Sequence, residues 1–251
     1  MTDADPWQTL KQFTAARIAL GRSGDSLPTR ALLDFDLAHA RARDAVHAPF
    51  DPEAVLRQLE RPESAAAGLA CVCVHSAAGD RATYLRRPDL GRRLREADRA
   101  RLAVRPAAIV DLVLLVADGL SAPAAMQHAP ALIDALLPLL PDWTIGPLVI
   151  ATQARVALGD EVGELLGARL VAVLIGERPG LSSPDSLGIY VTWQPRIGRT
   201  DAERNCVSNV RPAGQPIAQA AARTAWLLNA ARRRALTGVQ LKDDSERPLL
   251  T

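Results

Sequence analysis

The sequence predicts an α/β protein with a mostly parallel, Rossmann-like sheet flanked by helices, together with a helical N-terminal part. Apolar runs at 112–116, 148–152 and 170–175 have the length and composition of buried strands. Helical segments separate these runs, and each run ends in polar residues, Gly or Pro. Repeated β-α-β units of this kind favour a right-handed parallel sheet covered by helices.

The clearest change in composition lies near residue 105. Before it, residues 1–105 are rich in Arg and mostly helical in pattern, and we expect them to form a helical part with a short hairpin. After it, residues 106–251 carry the alternating pattern and are predicted to form the α/β core.

Four elements are predicted in the N-terminal part: helices at 28–47, 52–59 and 88–101, and a hairpin made of 69–75 and 81–85. The predicted elements of the core are strands at 112–116, 148–152, 170–175 and 187–193, and helices at 123–139, 159–166 and 216–236.

Length and composition indicate an ordinary globular protein. The chain has 251 residues, of which 48% are hydrophobic and 23% charged, enough to bury a sizeable core. The apolar runs all fall short of 18 residues, so a membrane span is not predicted. The acidic start of the chain, residues 1–5, does not resemble a signal peptide, and we expect a cytoplasmic protein.

The basic residues are almost all arginine. Only Lys11 and Lys242 are lysines among 30 Lys and Arg residues, and the formal net charge is +2. Arginine suits phosphate binding because its guanidinium group matches phosphate oxygens, but a coding bias toward Ala and Arg explains the composition equally simply. Acids are interleaved with the arginines, as in 92–96, so nucleic-acid binding is disfavoured.

Familiar catalytic motifs are absent from the sequence. Neither a P-loop nor a G-x-G-x-x-G turn follows a predicted strand, and the four histidines form no metal-binding pair. Cys71 and Cys73 lie two residues apart in a strand-like run and are predicted to be packing residues. The sequence therefore offers no self-contained active site.

Three polar loops follow the three buried strands, at 118–121, 153–156 and 176–180. The carboxyl ends of parallel strands meet at one edge of a sheet, where ligands bind in open α/β folds. We therefore expect these loops to form a ligand-binding rim.

Two residues of this region have more than one interpretation. Glu177, directly after a buried strand, could form a local ion pair with Arg178 or another loop arginine, or could accept hydrogen bonds from a neutral ligand. Cys206 lies in a polar run that we expect to be a loop, where it is a better ligand contact than a packing residue. As a nucleophile Cys206 would need a neighbouring base, and none is near in sequence.

Seven segments, in this order along the chain, resemble the small subunit of ethanolamine ammonia-lyase, and the resemblance covers residues 13–236. They are 16–24 (ARIALGRSG), 27–30 (LPTR), 36–41 (DLAHAR), 84–94 (YLRRPDLGRRL), 118–121 (DGLS), 176–180 (GERPG) and 206–209 (CVSN).

This resemblance implies a subunit of an adenosylcobalamin-dependent lyase that converts ethanolamine to acetaldehyde and ammonia. In that family a TIM-barrel large subunit carries the chemistry, and the small subunit closes over the cofactor. The family's cobalamin contacts match Val156, Glu177 and Cys206 of this chain. The implied assembly is a hexamer of heterodimers, in which residues 1–105 contact the large subunit and residues 106–251 contact the cobalamin.

Two further expectations accompany the resemblance. The chain lacks D-x-H-x-x-G, so the cofactor is expected to keep its own dimethylbenzimidazole as the lower ligand, the base-on form. Some relatives carry a longer N-terminal extension linked to packaging in a bacterial microcompartment, and both that location and the free cytoplasm remain open.

Two other functions are weighed against this one. A free-standing α/β enzyme would use Cys206 as its nucleophile, and an Arg-rich RNA-binding module would bind with a steep salt dependence.

Overall fold

Six strands form one sheet in the order β1-β3-β2-β4-β5-β6 in a computed structural model that describes residues 6–14, 16–104 and 109–245. The strands are β1 (Cys71–His75), β2 (Val110–Ala117), β3 (Leu148–Thr152), β4 (Ala168–Gly176), β5 (Leu187–Trp193) and β6 (Arg204–Val210). The α-helices are α1 (Thr29–His47), α2 (Pro52–Leu59), α3 (Arg81–Arg86), α4 (Glu96–Ala103), α5 (Ala122–Leu136), α6 (Leu158–Leu165) and α7 (Ile217–Arg234). Short 3₁₀ helices span Pro6–Phe13, Leu90–Arg92, Leu137–Leu139 and Asp201–Glu203.

The predicted α/β class is confirmed, and the mostly parallel sheet is confirmed in part. β1, β3, β2 and β4 pair in parallel, whereas β4 pairs with β5, and β5 with β6, in antiparallel fashion. The connection at 177–186 contains no helix and is too short for a parallel crossover, so β5 must return beside β4 in the opposite direction. β6 then runs parallel to β4 again.

Helices cover both faces of the sheet, as β2 shows most directly. Its residues Leu112, Leu114 and Val116 pack into a core shared with α2, α5 and α7. The alternate residues Val113 and Leu115 pack into a second core with α4 and α6. All eight residues of β2 are buried, which explains why its sequence is a continuous apolar run with no alternation.

Helix α1 stands largely clear of the rest of the chain. Only Ala45 of its residues is buried. Leu33 and Leu37, which form the predicted apolar stripe, are 61% and 51% exposed. Most helices of globular proteins are stabilised by packing an apolar face, so the exposure of these two leucines is unusual for a helix of this length.

The predicted hairpin at 69–75 and 81–85 is wrong. β1 pairs with β3 as a parallel strand, so it belongs to the same sheet as the strands of the core. Residues 81–86 form helix α3, because the Asp80 side chain accepts a hydrogen bond from the backbone N–H of Thr83 at 2.7 Å and caps the first turn.

The predicted basic helix at 88–101 is also wrong over much of its length. The chain is extended at residues 93–95, where it pairs with the end of β1: the Arg95 N–H donates to the His75 carbonyl oxygen at 3.0 Å, and Ala77 donates to Arg93. Helix α4 begins only at Glu96. The remaining predicted helices and strands are present, with ends that differ by a few residues.

Candidate functional site

The loops that follow β2, β3 and β4 meet at the carboxyl edge of the sheet and enclose a cleft of about 410 Å³. The predicted convergence of these three loops is confirmed. The residues lining this cleft, here called the edge cleft, are Tyr84, Gly119, Leu120, Arg155, Val156, Ile175, Gly176, Glu177, Arg178 and Tyr190.

Asp118 holds two of the loops together from beneath. Its Oδ1 accepts hydrogen bonds from the N–H groups of Gly119 at 3.0 Å and Ala154 at 2.9 Å. Its Oδ2 accepts from the N–H of Gln153 at 3.0 Å and from Arg81 Nη1 at 3.3 Å. Burial raises the pKa of this carboxyl, while the four donors favour its charged form.

The backbones of Gly119 and Gly176 approach so closely that neither has room for a side chain. Gly119 has φ of +55°, and a Cβ there would overlap the Gly176 carbonyl oxygen. A Cβ at Gly176 would lie 2.6 Å from the Asp118 carbonyl oxygen and closer still to that of Ser121. The loops after β2 and β4 are therefore locked together at the floor of the edge cleft.

Two guanidinium groups lie against the ring of Tyr84 at one side of the edge cleft. The Arg81 and Arg155 guanidinium carbons lie 4.8 and 4.3 Å from the centre of its ring, within the range of cation–π interactions. The ring is fully buried, and its hydroxyl donates to the Ala154 carbonyl oxygen at 3.0 Å. Burial raises the pKa of Tyr84, so the phenol is neutral.

Glu177 is half-buried at the mouth of the cleft and is positioned by the residue before β5 and by a residue of β6. Its Oε2 accepts a short hydrogen bond from the Ser186 hydroxyl and another from the Asn209 N–H at 3.1 Å. Within the part of the chain that the structure describes, Glu177 forms no ion pair, and its Oε1 accepts no hydrogen bond. The ion pair with Arg178 considered from the sequence is not formed, and Oε1 remains available to a donor.

The structure places the other two predicted contacts differently. Val156 is half-buried and lines the edge cleft together with Glu177. Cys206 lies on β6, so its expected place in a loop is wrong: the polar run is an edge strand whose exposed side chains gave no apolar signal.

Cys206 reaches the edge cleft through Tyr190, which lies opposite it on β5 and lines the cleft. The side chains of Tyr190 and Cys206 therefore lie next to each other on the same face of the sheet. Partial desolvation raises the pKa of the Cys206 thiol, so the thiol is neutral at pH 7. Cys206 is thus suited to contact a ligand, not to attack one.

A second cleft, of about 610 Å³, adjoins the first and shares Arg155 and Val156 with it. We call it the basic cleft because five arginines and two aspartates line it. The residues are Pro88, Arg92, Arg93, Arg155, Val156, Ala157, Asp160, Ile197, Gly198, Arg199, Thr200, Asp201 and Arg204.

Sequence reasoning missed the residues that reach the site from outside the three loops. Arg81 and Tyr84 were assigned to a strand, and only the capping signal of Asp80 could have placed them on a helix at the cleft. Ser186 and Tyr190 carry no motif, because their roles depend on the antiparallel return of β5.

No group of His, Cys, Asp and Glu side chains in residues 6–14, 16–104 and 109–245 is placed to hold a metal ion. Across the same ranges, no helix has both the length and the apolar character needed to cross a membrane.

The fold defines an α/β protein with a cleft at the carboxyl edge of its sheet. Comparison with known proteins makes this specific. Residues 4–242 match the family model described as ethanolamine ammonia-lyase light chain. The chain belongs to this family, as the resemblance of its motifs implied.

Curated relatives agree over almost the whole chain. It is 55% identical over 247 residues to the ethanolamine ammonia-lyase small subunit of Azotobacter vinelandii, which covers 96% of this chain and 90% of the relative. The small subunit of Xanthomonas campestris pv. campestris is 54% identical over 256 residues, 98% of this chain and 90% of the relative. The protein is therefore a small subunit of ethanolamine ammonia-lyase, a lyase that acts as a heteromeric enzyme.

Proposed function

We propose that this chain holds adenosylcobalamin against the catalytic large subunit, with an edge of the corrin ring in the edge cleft. Val156 would contact the apolar part of the ring, Glu177 an amide side chain, and Cys206 the neighbouring rim. The observation that carries the proposal is the convergence of three strand-end loops on a cleft that contains Val156 and Glu177.

The size of the edge cleft supports a shared cofactor. Pockets that enclose a drug-sized ligand hold about 300–1,000 Å³. At about 410 Å³ the edge cleft lies near the lower limit, and cobalamin is much larger than a drug-sized molecule. Only part of the corrin would enter this chain, which leaves its reactive face to the large subunit.

The lining residues fit the rim of a corrin. Val156, Ile175 and Leu120 supply apolar surface, and Oε1 of Glu177 supplies an acceptor for the amide groups of the corrin side chains. When bound, adenosylcobalamin supplies the radical by cleavage of its cobalt–carbon bond. The residues of this chain would bind and orient the cofactor and exclude water from one edge of it.

The base-on form of the cofactor is part of the proposal. None of the four histidines lines either cleft, and Nδ1 of His75 lies 2.8 Å from the Ser76 carbonyl oxygen. The cofactor would therefore keep its own lower ligand.

The same proposal covers the partner. Helix α1, with Leu33 and Leu37 exposed, and the segment 88–101 are the surfaces that would contact the large subunit. The assembly would be a hexamer of heterodimers in the cytoplasm, free or within a microcompartment.

Purification of this chain alone and together with the large subunit tests the division of labour. When the complex of the two subunits is titrated with cobalamin, the corrin absorbance should change in a saturable way. The pair should also deaminate ethanolamine, and this chain alone should not. Robust deaminase activity of the isolated chain, or an edge cleft that remains accessible to solvent in the loaded complex, would refute the proposal.

A further inference from the structure

Arg155 is the point at which the edge cleft and the basic cleft meet, and its charge is not balanced. Arg81, which also lies against Tyr84, is paired with Asp118 at 3.3 Å. Arg155 has no carboxylate partner within residues 6–14, 16–104 and 109–245, and its buried Nε atom lacks a hydrogen-bond acceptor. The charge of Arg155 is therefore not compensated by any carboxylate that the structure describes, and neither its Nε nor the neighbouring Arg81 Nη2 has an acceptor.

The position of the Arg155 side chain is fixed in advance. Its backbone N–H donates to the Gly91 carbonyl oxygen at 2.8 Å, and its guanidinium stacks on the Tyr84 ring. A Cβ at Gly91 would lie 2.9 Å from both the Arg155 stem and the Tyr84 ring, so the stem is packed between these residues. The guanidinium group is therefore held in one position at the cleft.

The basic cleft beyond Arg155 keeps an excess of positive charge. Asp160 is paired with Arg204 at 2.6 Å, and Arg199 with Glu203. Arg92 and Arg93 are exposed and form no ion pair with any residue that the structure describes. Together with Arg155 they leave a cleft that favours an anion.

We propose that Arg155, with Arg92 and Arg93 beside it, binds the phosphodiester of the nucleotide loop of cobalamin. This inference rests on the proposed function, since it assumes a corrin edge in the edge cleft. Cobalamin carries one negatively charged phosphodiester, on the chain that joins the corrin to its dimethylbenzimidazole. Arg155 and Val156 line both clefts, so a corrin edge at Val156 would leave the adjoining basic cleft free for that chain. Guanidinium groups bind phosphate oxygens through paired N–H donors.

Three corrinoids separate the phosphate contact from the ring contact. Cobinamide lacks the whole nucleotide, cobinamide phosphate retains the phosphate without the base, and cobalamin has both. Their affinities are measured by absorbance titration of the assembled two-subunit complex, so no turnover is needed. In the wild type, cobinamide phosphate should bind more tightly than cobinamide, and inorganic phosphate should compete with the former only.

Arg155→Gln is the test variant, and Arg233→Gln is the matched control. Arg233 is exposed near the C-terminal end of α7, whose neighbour Arg232 contacts Asp111 at the amino end of β2, the edge of the sheet opposite the clefts. We expect Arg155→Gln to weaken cobalamin and cobinamide phosphate about ten- to a hundred-fold. Cobinamide affinity should stay within about two-fold, and Arg233→Gln should leave all three affinities unchanged.

The outcomes are distinct. Equal losses for all three corrinoids in Arg155→Gln would show that Arg155 only supports the fold, and no loss would place the phosphate elsewhere. Competition by inorganic phosphate against cobinamide and cobinamide phosphate alike would mean that the cleft serves free phosphate. Each of these results overturns the inference alone, whereas failure of the wild-type complex to bind any corrinoid overturns the proposed function as well.

Discussion

The guanidinium group of Arg204 and the carboxylate of Asp160 form a bidentate ion pair, in which both N···O distances are 2.6 Å. Each side chain is only 2% exposed. Arg204 also donates to the Thr192 hydroxyl at 2.9 Å and to the Arg199 carbonyl oxygen at 3.0 Å. The pair joins the start of β6 to α6 beside the basic cleft.

Removal of one partner of this pair should be severely destabilising. Arg204→Met leaves the Asp160 carboxylate buried without its cation, and we expect a loss of about 3–5 kcal/mol in the free energy of unfolding, measured with urea. Asp201→Asn is the control, since Asp201 is 97% exposed although it lies 3.4 Å from Arg204, and it should cost less than about 0.5 kcal/mol. Replacement of both buried partners by apolar residues should recover much of the loss, and an Arg204→Met variant as stable as the wild type would contradict this account.

Gly176→Ala should distort the floor of the edge cleft. The added methyl group would meet the carbonyl oxygens of Asp118 and Ser121, which are backbone atoms and cannot rotate away. Overpacking of this kind costs about 1–3 kcal/mol or more. Gly79→Ala is the control, because a Cβ there meets nothing within 4 Å and the residue has no positive φ. Denaturant midpoints of the two variants test the difference, and equal midpoints would count against the interlock.

Glu203 should make stability depend on pH in the acid range. Hydrogen bonds from Thr200 and Arg199 lower the pKa of Glu203 from 4.5 to about 2. The folded state therefore binds this proton less readily than the unfolded state, so the contribution of Glu203 is present above pH 4.5 and is lost as the pH falls toward 2. The difference in melting temperature between wild type and Glu203→Gln should shrink across that window. A difference that stays constant from pH 5 to pH 2 would show that the carboxylate is not responsible.

Glu177→Ala tests the carboxylate at the mouth of the edge cleft. If Oε1 accepts a hydrogen bond from a corrin amide, its loss should cost about 1.5–3 kcal/mol. That cost corresponds to about ten- to a hundred-fold in cobalamin affinity of the assembled complex. Glu63→Ala, between α2 and β1, removes an exposed carboxylate far from the cleft and should leave the affinity unchanged. Equal affinities of wild type and Glu177→Ala would limit Glu177 to its contacts with Ser186 and Asn209.

The Cys206 thiol should react slowly at neutral pH. Its pKa is raised above 9.0, so little thiolate is present at pH 7, and the rate of alkylation should climb only in strongly alkaline solution. Mass spectrometry of the labelled peptides separates Cys206 from Cys71 and Cys73. Fast labelling of Cys206 at pH 7 would instead support the hypothesis that Cys206 is a catalytic nucleophile. Cys206→Ser should change cobalamin affinity only mildly, because one neutral contact replaces another.

The sequence predicts the strands whose burial is continuous and the loops that follow them. β2, β3 and β4 are recognisable because both faces of each are covered, and their loops carry Asp118, Val156 and Glu177. The local sequence pattern does not predict a strand whose formation depends on pairing with a distant segment. The strand β6 has polar exposed side chains and is held by β5, so nothing in residues 204–210 marks it as extended.

The arginines show the same limit at the site. Their number in the sequence indicates neither which are neutralised nor which remain charged. Arg204 and Arg155 look alike in sequence, yet one is paired with Asp160 and the other is stacked on Tyr84 without a carboxylate. Only the packing of α3 against the loop after β3 distinguishes the two arginines. That packing depends on contacts between residues about 70 positions apart in sequence, such as the hydrogen bond between Tyr84 and Ala154.

Arg81 connects helix α1 to the floor of the edge cleft. Its Nε donates to the Val46 carbonyl oxygen in the last turn of α1, at 2.7 Å, while its Nη1 donates to Asp118 and to the Gly119 carbonyl oxygen. A rotation of that exposed helix would pull on the same guanidinium group that steadies the cleft floor. Movements of α1 and of the loop after β2 are therefore coupled through this one side chain.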